Sequence, residues 1–248
     1  KYSKIKINAN DDVNMSQSSN DVIPTVMNCS FHCDLAKKMI PALNFLIQTI
    51  EKKASQVAGT VKTGRTHLMD AMPIDMSQEL LAWSSQLKTS KDSLLIIMEK
   101  LLFMPQGGTA VGTGINAHPR FAKEFAKELS KLSGHKIKSS NNFFHSISSQ
   151  DLSVQVSGEL KNLSVILMKI ANDLRWMNSG PLAGLGEIEL QALQPGSSIM
   201  PGKVNPVVPE VVTMVAADVM GNDTTVTIAA QSGNFQLNVM LPVIAYCN

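Results

Sequence analysis

Residues 149–177 read Ser-Gln-Asp-Leu-Ser-Val-Gln-Val-Ser-Gly-Glu-Leu-Lys-Asn-Leu-Ser-Val-Ile-Leu-Met-Lys-Ile-Ala-Asn-Asp-Leu-Arg-Trp-Met. Leu152, Val156, Leu160, Leu163, Leu167, Ile170 and Leu174 recur at spacings of three and four, the seam of a helix packed in a bundle or coiled coil. Gly180 and Pro181 end the pattern. Outward from this helix the same period returns. Leu35, Met39, Leu43, Leu46 and Ile50 form a stripe within 22–57, with Pro41 inside it as an expected kink. Leu80, Trp83, Leu87, Leu94, Met98 and Leu101 form another, ending near Pro105. Pro119–Leu132 is a short amphipathic helix closed by Gly134. Helical patterns also cover Pro206–Gln231 and Leu237–Tyr246. Strand-like alternation is scarce, so the expected class is all-α: an elongated bundle of long helices forming one domain over 1–248.

Composition narrows the function. The chain has 248 residues and a net charge of +2, which gives no reason to expect nucleic acid or an anionic membrane surface. No apolar run approaches the ~20 residues of a membrane span, and no signal peptide follows Lys1–Lys6. Three cysteines do not make a disulfide framework, so a reducing compartment, cytosol or mitochondrial matrix, is expected. Cys29, His32 and Cys33 share one helical turn, but without a second cluster they are a weak ligand set, and no metal or other cofactor is expected. The glycine-rich stretch at 106–114 lacks the lysine of a nucleotide-binding loop.

Polar chemistry concentrates in the loop Gly196-Ser197-Ser198-Ile199-Met200-Pro201-Gly202-Lys203-Val204-Asn205-Pro206-Val207-Val208-Pro209-Glu210. Its glycines and prolines break regular structure, which alone fits an ordinary surface loop. The same stretch can also aim backbone N–H groups, a hydroxyl and the Lys203 cation at one point, as a developing carboxylate-type anion requires. The Ser18-Ser19-Asn20 stretch likewise reads two ways. Ser19 or Asn20 is a helix N-cap, or all three present donors to an anion at a helix N-terminus.

Residues 196–206 resemble the signature of the fumarase/aspartase superfamily. Asn10–Asp21, Gly64–Ala71 and Gly107–Gly114 resemble class II fumarase in particular. The four matches stand in the family's order and cover essentially the whole chain. The resemblance implies a central helical domain, with the family's N-terminal and C-terminal domains absent or truncated. It implies a homotetramer whose active sites draw residues from three subunits and act on a small dicarboxylate, in the tricarboxylic acid cycle. It implies Ser197 as catalytic base, Lys203 and Asn205 as carboxylate ligands, and Thr66 and His67 as ligands of substrate and its hydroxyl or water. Glu210 is then the carboxylate partner of that histidine, and Ser18, Ser19 and Asn20 contact a substrate carboxylate. The implied reaction is reversible hydration of fumarate to L-malate. Two expectations compete. Val207–Val212 and Gly221–Thr227 resemble aspartate ammonia-lyases, and a non-catalytic helical assembly protein could keep the same scaffold. Departures from the family pattern are Asn8-Ala9-Asn10-Asp11 in place of His before Pro-Asn-Asp, Leu182 in place of an arginine, and Asn141-Asn142-Phe143-Phe144 in place of Asn-Lys-Phe-Glu.

Overall fold

In the computed structural model, which describes residues 6–196 and 198–248, long helices dominate. α1 (Ser19–Asp34) and α2 (Ile40–Gln56) are joined by a π-helical turn, Leu35–Met39. α3 (Met76–Lys100), α6 (Asp151–Met177) and α7 (Val207–Gln231) are the longest, and α4 (Phe121–Ser133), α5 (Phe143–Ser148) and α8 (Leu241–Cys247) are shorter. Among the described residues no helix is long and apolar enough to cross a membrane.

The expected kink at Pro41 takes the form of this π turn. Proline offers no N–H and its ring crowds the carbonyl four residues back. The chain widens by one residue just before it, and the Ile40 N–H bonds to the Leu35 carbonyl, five residues away. The extra residue rotates the buried face. Leu35 and Leu43 are buried as expected, but Ile47 rather than Leu46 continues the seam to Ile50 and Ala54. In α6 the buried positions are Val156, Leu163, Ile170 and Met177, a seven-residue period. Ser157, Ser164 and Ala171, one step on, are small and also buried. The other expected stripe residues, Leu152, Leu160, Leu167 and Leu174, are only half-buried.

Residues 61–75 hold an antiparallel hairpin. β1 (Val61–Thr66) pairs with β2 (Met69–Asp75), Thr66 opposite Met69 and Val61 opposite Asp75, with an irregularity between Thr63 and Arg65. Two residues, His67 and Leu68, make the turn, both at positive φ (55° and 60°), the handedness that matches the twist of a hairpin. Asp75 finishes the unit: its carboxylate accepts from the N–H groups of Gly59 and Ser77. These bonds, those of Ser77 first, hold the Asp75 carboxyl below its usual pKa. Segment 136–148 contains β4 (Lys138–Ser139), parallel to β3 (Phe103–Met104), and α5.

The chain divides into two compact units. One comprises Lys1–Pro41, Ser93–Ser157 and Asp223–Asn248. It has two apolar clusters, Met27, Val226, Ala229, Leu241 and Ile244 in one, Met104, Ala126 and Ile137 in the other. The second comprises Ala42–Asp92 and Gly158–Asn222 and buries Leu43, Ile47, Trp83, Leu87, Leu163 and Ile170 among others.

The Cys29, His32, Cys33 turn packs inside the first unit. The Cys29 Sγ lies 3.7 Å from the Met104 Sδ, and the His32 ring meets the His135 ring edge-on at 4.4 Å. Among the described residues no group of three or more His, Cys, Asp or Glu is placed to hold a metal ion.

Candidate active site

The signature loop lies in the second unit. Ser197, the expected base, lies outside the described residues. On either side of it the loop folds back on itself. A Cβ added at Gly196 would come within 2.9 Å of the Lys203 carbonyl oxygen, so glycine permits this close approach. Pro206 then leads directly into α7, whose first turn carries Glu210.

Lys203, Asn205 and Glu210 line one cavity of about 400 Å³ with Asn172, Arg175 and Asn178 from the end of α6 and the residues just after it. Lys203 and Asn205 are exposed and Glu210 is half-buried. Among the described residues no hydrogen bond or ion pair engages the Lys203 ammonium or the Glu210 carboxylate. The cavity therefore offers a cation, amide donors and a carboxylate at the positive end of a helix dipole, a combination suited to a substrate bearing carboxylates.

The cavity floor is held by local bonds. The Asn178 side chain accepts from the Leu190 N–H at 2.8 Å, and the Ser179 hydroxyl donates to the Trp176 carbonyl and accepts from the Leu185 N–H. Arg175 and Asn178 were not expected. In the sequence they read as the ordinary polar last turn of a helix.

Thr66 and His67 stand at the hairpin tip, both exposed, and are not among the residues lining this cavity. Among the described residues no hydrogen bond or ion pair joins His67 to Glu210, or to any other group. The strand carrying Thr66 is anchored by charge. Arg65 Nη1 lies 2.9 Å from Glu187 Oε1, and Lys62 Nζ lies 2.6 Å from Glu79 Oε2 and 3.3 Å from Glu187 Oε2.

The Ser18-Ser19-Asn20 stretch belongs to the first unit, where Ser18, not Ser19 or Asn20, is the N-cap of α1. Its hydroxyl accepts from the Asn20 N–H at 3.1 Å, and its own N–H donates to Asp21 in a capping box. Asp21 is fully buried. Its second oxygen accepts from the N–H groups of Gly107 and Thr109, each at 2.9 Å. Asn20 adds a bond from its amide to the Ala110 carbonyl at 2.8 Å. One carboxylate thus ties the serine-rich stretch to the glycine-rich turn. Gly107 is needed there: its φ is +107° and a Cβ would fall 2.4 Å from that of Ala122. Of the three expected carboxylate ligands, Ser19 is exposed and its hydroxyl makes only a long 3.4 Å contact, to Asn20. Ser and Asp three residues apart are a capping-box signature that identifies Asp21 from sequence alone. Asn8, in the departing stretch, caps a π turn at Ala9–Val13 with its side chain.

Comparison with known proteins identifies the family and the fold. A family model described as lyase matches residues 1–221. A class II fumarate hydratase of Pseudomonas aeruginosa is 59% identical over 240 residues, 97% of this chain and 52% of that protein. The class II fumarate hydratase of Bacillus subtilis is 49% identical over 246 residues, 99% of this chain and 53% of that protein. A crystal structure of class II fumarase from Schistosoma mansoni superposes with a TM-score of 0.96 at 38% identity, covering 99% of this chain and 55% of that one. The expected all-α, fumarase-like fold is borne out. The chain spans about half the length of the curated relatives it matches. It belongs to the lyase family, and the relatives it aligns with there are class II fumarate hydratases.

Proposed function

We propose that the protein containing this chain is a fumarate hydratase, adding water reversibly and anti across the fumarate double bond to give L-malate. The observation that carries this reading is the gathering of Lys203, Asn205 and Glu210 around one cavity beside the signature loop. The relatives named above supply the substrate class.

The proton lost in the malate-to-fumarate direction is alpha to a carboxylate and only weakly acidic. Its removal leaves an aci-carboxylate with two negative charges at one end. Fixed cationic and amide donors there lower the barrier, because they are already oriented when the charge develops. In this scheme Ser197, as alkoxide, takes the proton. A serine hydroxyl is a poor base unless its anion is stabilised, a task for loop amides and the Lys203 ammonium. Asn205 and Lys203 hold the carboxylate that becomes the aci-carboxylate. Thr66 and His67 bind the substrate and the departing hydroxyl, which leaves as water after protonation. Glu210 partners His67. Ser18, Ser19 and Asn20 contact a carboxylate, with Ser19 the most available of the three.

His67 and Glu210 do not meet within one chain, which is what a site shared between subunits requires. The proposed assembly is a homotetramer. The face of α7 supports it: Val208, Val211, Met214 and Val215 are each more than half exposed. A run of apolar side chains this size is normally covered by another copy or another protein. The proposed location is cytosol or mitochondrial matrix.

The test is hydration in heavy water. Anti addition yields a single diastereomer of monodeuterated L-malate, read from its proton coupling constant. A mixture of diastereomers, or no malate, contradicts the reading. Ser197→Ala separately tests the base, with turnover expected to fall by about 10³-fold or more.

A further inference from the structure

Glu187 is fixed twice. Its backbone N–H bonds to the Met177 carbonyl at 2.8 Å, directly beyond the last turn of α6. Its carboxylate faces the hairpin, with Arg65 Nη1 at 2.9 Å from one oxygen and Lys62 Nζ at 3.3 Å from the other. The side chains of Lys62, Arg65 and Glu187 are 11%, 22% and 16% exposed, so this is not a solvated surface pair. Lys62 is itself held by Glu79 in α3 and touches the Met177 sulfur at 3.2 Å.

The geometry is not that of a structural bridge optimised for bonding. Glu187 Oε2 is inaccessible to solvent yet accepts no well-formed hydrogen bond among the described residues. Its counter-charge is the Lys62 ammonium at 3.3 Å, so this buried oxygen depends on the hairpin's cations for compensation, and losing them is costly. No strand residue of the hairpin is buried, so its outer end has little apolar packing to hold it. The Arg65–Glu187 contact is the charged anchor nearest the tip, one residue before Thr66 and two before His67. Glu187 also lies on the segment running from α6 into the signature loop. The cavity residues Arg175, Asn178 and Ser179 stand on its other side.

We propose that Glu187 is a positioning residue: through Arg65 and Lys62 it fixes the Thr66–His67 hairpin tip against the segment that leads to the catalytic loop. It touches no substrate in this scheme. The consequence for turnover rests on the hydratase reading, whereas the effect on the hairpin does not. Displacement of a reacting group by about an ångström can cost up to ~10²-fold in rate.

The test uses Glu187→Gln, Arg65→Met and the double variant in the native protein that contains this chain. Two quantities are measured: amide hydrogen exchange over residues 61–75, and kcat and KM for fumarate hydration. In Glu187→Gln, exchange at 64–70 is expected to rise several-fold while α6 and α7 keep their protection. In the same variant kcat is expected to fall about tenfold with KM within about twofold. The double variant is expected to be no worse than Glu187→Gln alone, because that substitution already removes the carboxylate that Arg65 pairs with. Unchanged exchange at the tip overturns the proposal, as do additive losses in the double variant. So does a fall in kcat matched by loss of protection throughout the helices, which marks general destabilisation. If the wild-type protein does not hydrate fumarate, the functional reading fails, and the exchange measurement still decides whether Glu187 anchors the tip. Should Glu187→Gln fold poorly, Arg65→Met gives the same reading from the other partner.

Discussion

Asp21 and His67 each stand within a stretch that resembles the same family, and the chain treats them in opposite ways. Asp21 is fully buried, and its carboxylate is consumed by three backbone N–H groups from two separate segments. His67 is exposed at a two-residue turn in a left-handed conformation, with no intramolecular partner among the described residues. Lys203 resembles His67 in this respect. Motif residues thus sort into those that hold the backbone and those presented outward with polar capacity unspent. The first kind costs stability when lost. On the proposed function the second is expected to cost activity.

Breaking the consumed side has the largest expected effect on stability. Asp21→Ala leaves two buried N–H groups and one partly buried N–H group without an acceptor and is expected to lose about 3 kcal/mol or more, measured by urea denaturation. A loss under about 1 kcal/mol would show that water or rearrangement satisfies those groups. The presented side should respond with the opposite sign. Leu68 sits at φ 60° and is exposed. Leu68→Gly is therefore expected to stabilise the chain by about 1 kcal/mol, the relief of a left-handed conformation in a side-chain-bearing residue. Destabilisation there would mean that Leu68 packs against something else in the assembly.

Two smaller effects belong to buried His32 and half-buried Cys29 of the first unit. Burial, and then the neighbouring His135, lower the pKa of His32, while Glu99 opposes them. The folded value lies below the unfolded one, so the unfolded chain binds more protons between the two. The stability contribution is complete above the unfolded value of about 6.5 and is lost as pH falls through the folded value. A denaturation series from pH 7.5 to 5 should decline, and His32→Gln should flatten part of that slope. Burial, with a lesser contribution from Cys33, pushes the Cys29 thiol up to about 11. At pH 8 Cys29 should therefore be alkylated slowly in the folded chain and at an ordinary rate in urea, as peptide mass mapping would show.

The long helices were legible in the sequence because their apolar period runs for six or seven turns. The detail of α2 was not. The π turn before Pro41 shifts the seam from Leu46 to Ile47, and no local residue pattern announces an inserted residue. The hairpin was missed because both its faces are partly exposed, so its strands show no apolar alternation, and His67-Leu68 lacks the Asn-Gly signal of a two-residue turn. Lys203, Asn205 and Glu210 were legible through the order of the family's stretches. Arg175 and Glu187 were not. The first looks like any basic residue in a last turn, and the second finds its partners more than a hundred residues earlier in the chain.

The most direct measurement follows the ultraviolet absorbance of fumarate with the native protein, with and without ammonium. Loss of absorbance at the same rate in both, with malate as product, is the predicted result. Loss only when ammonium is present would contradict the hydratase reading and identify an ammonia-lyase built on the same cavity.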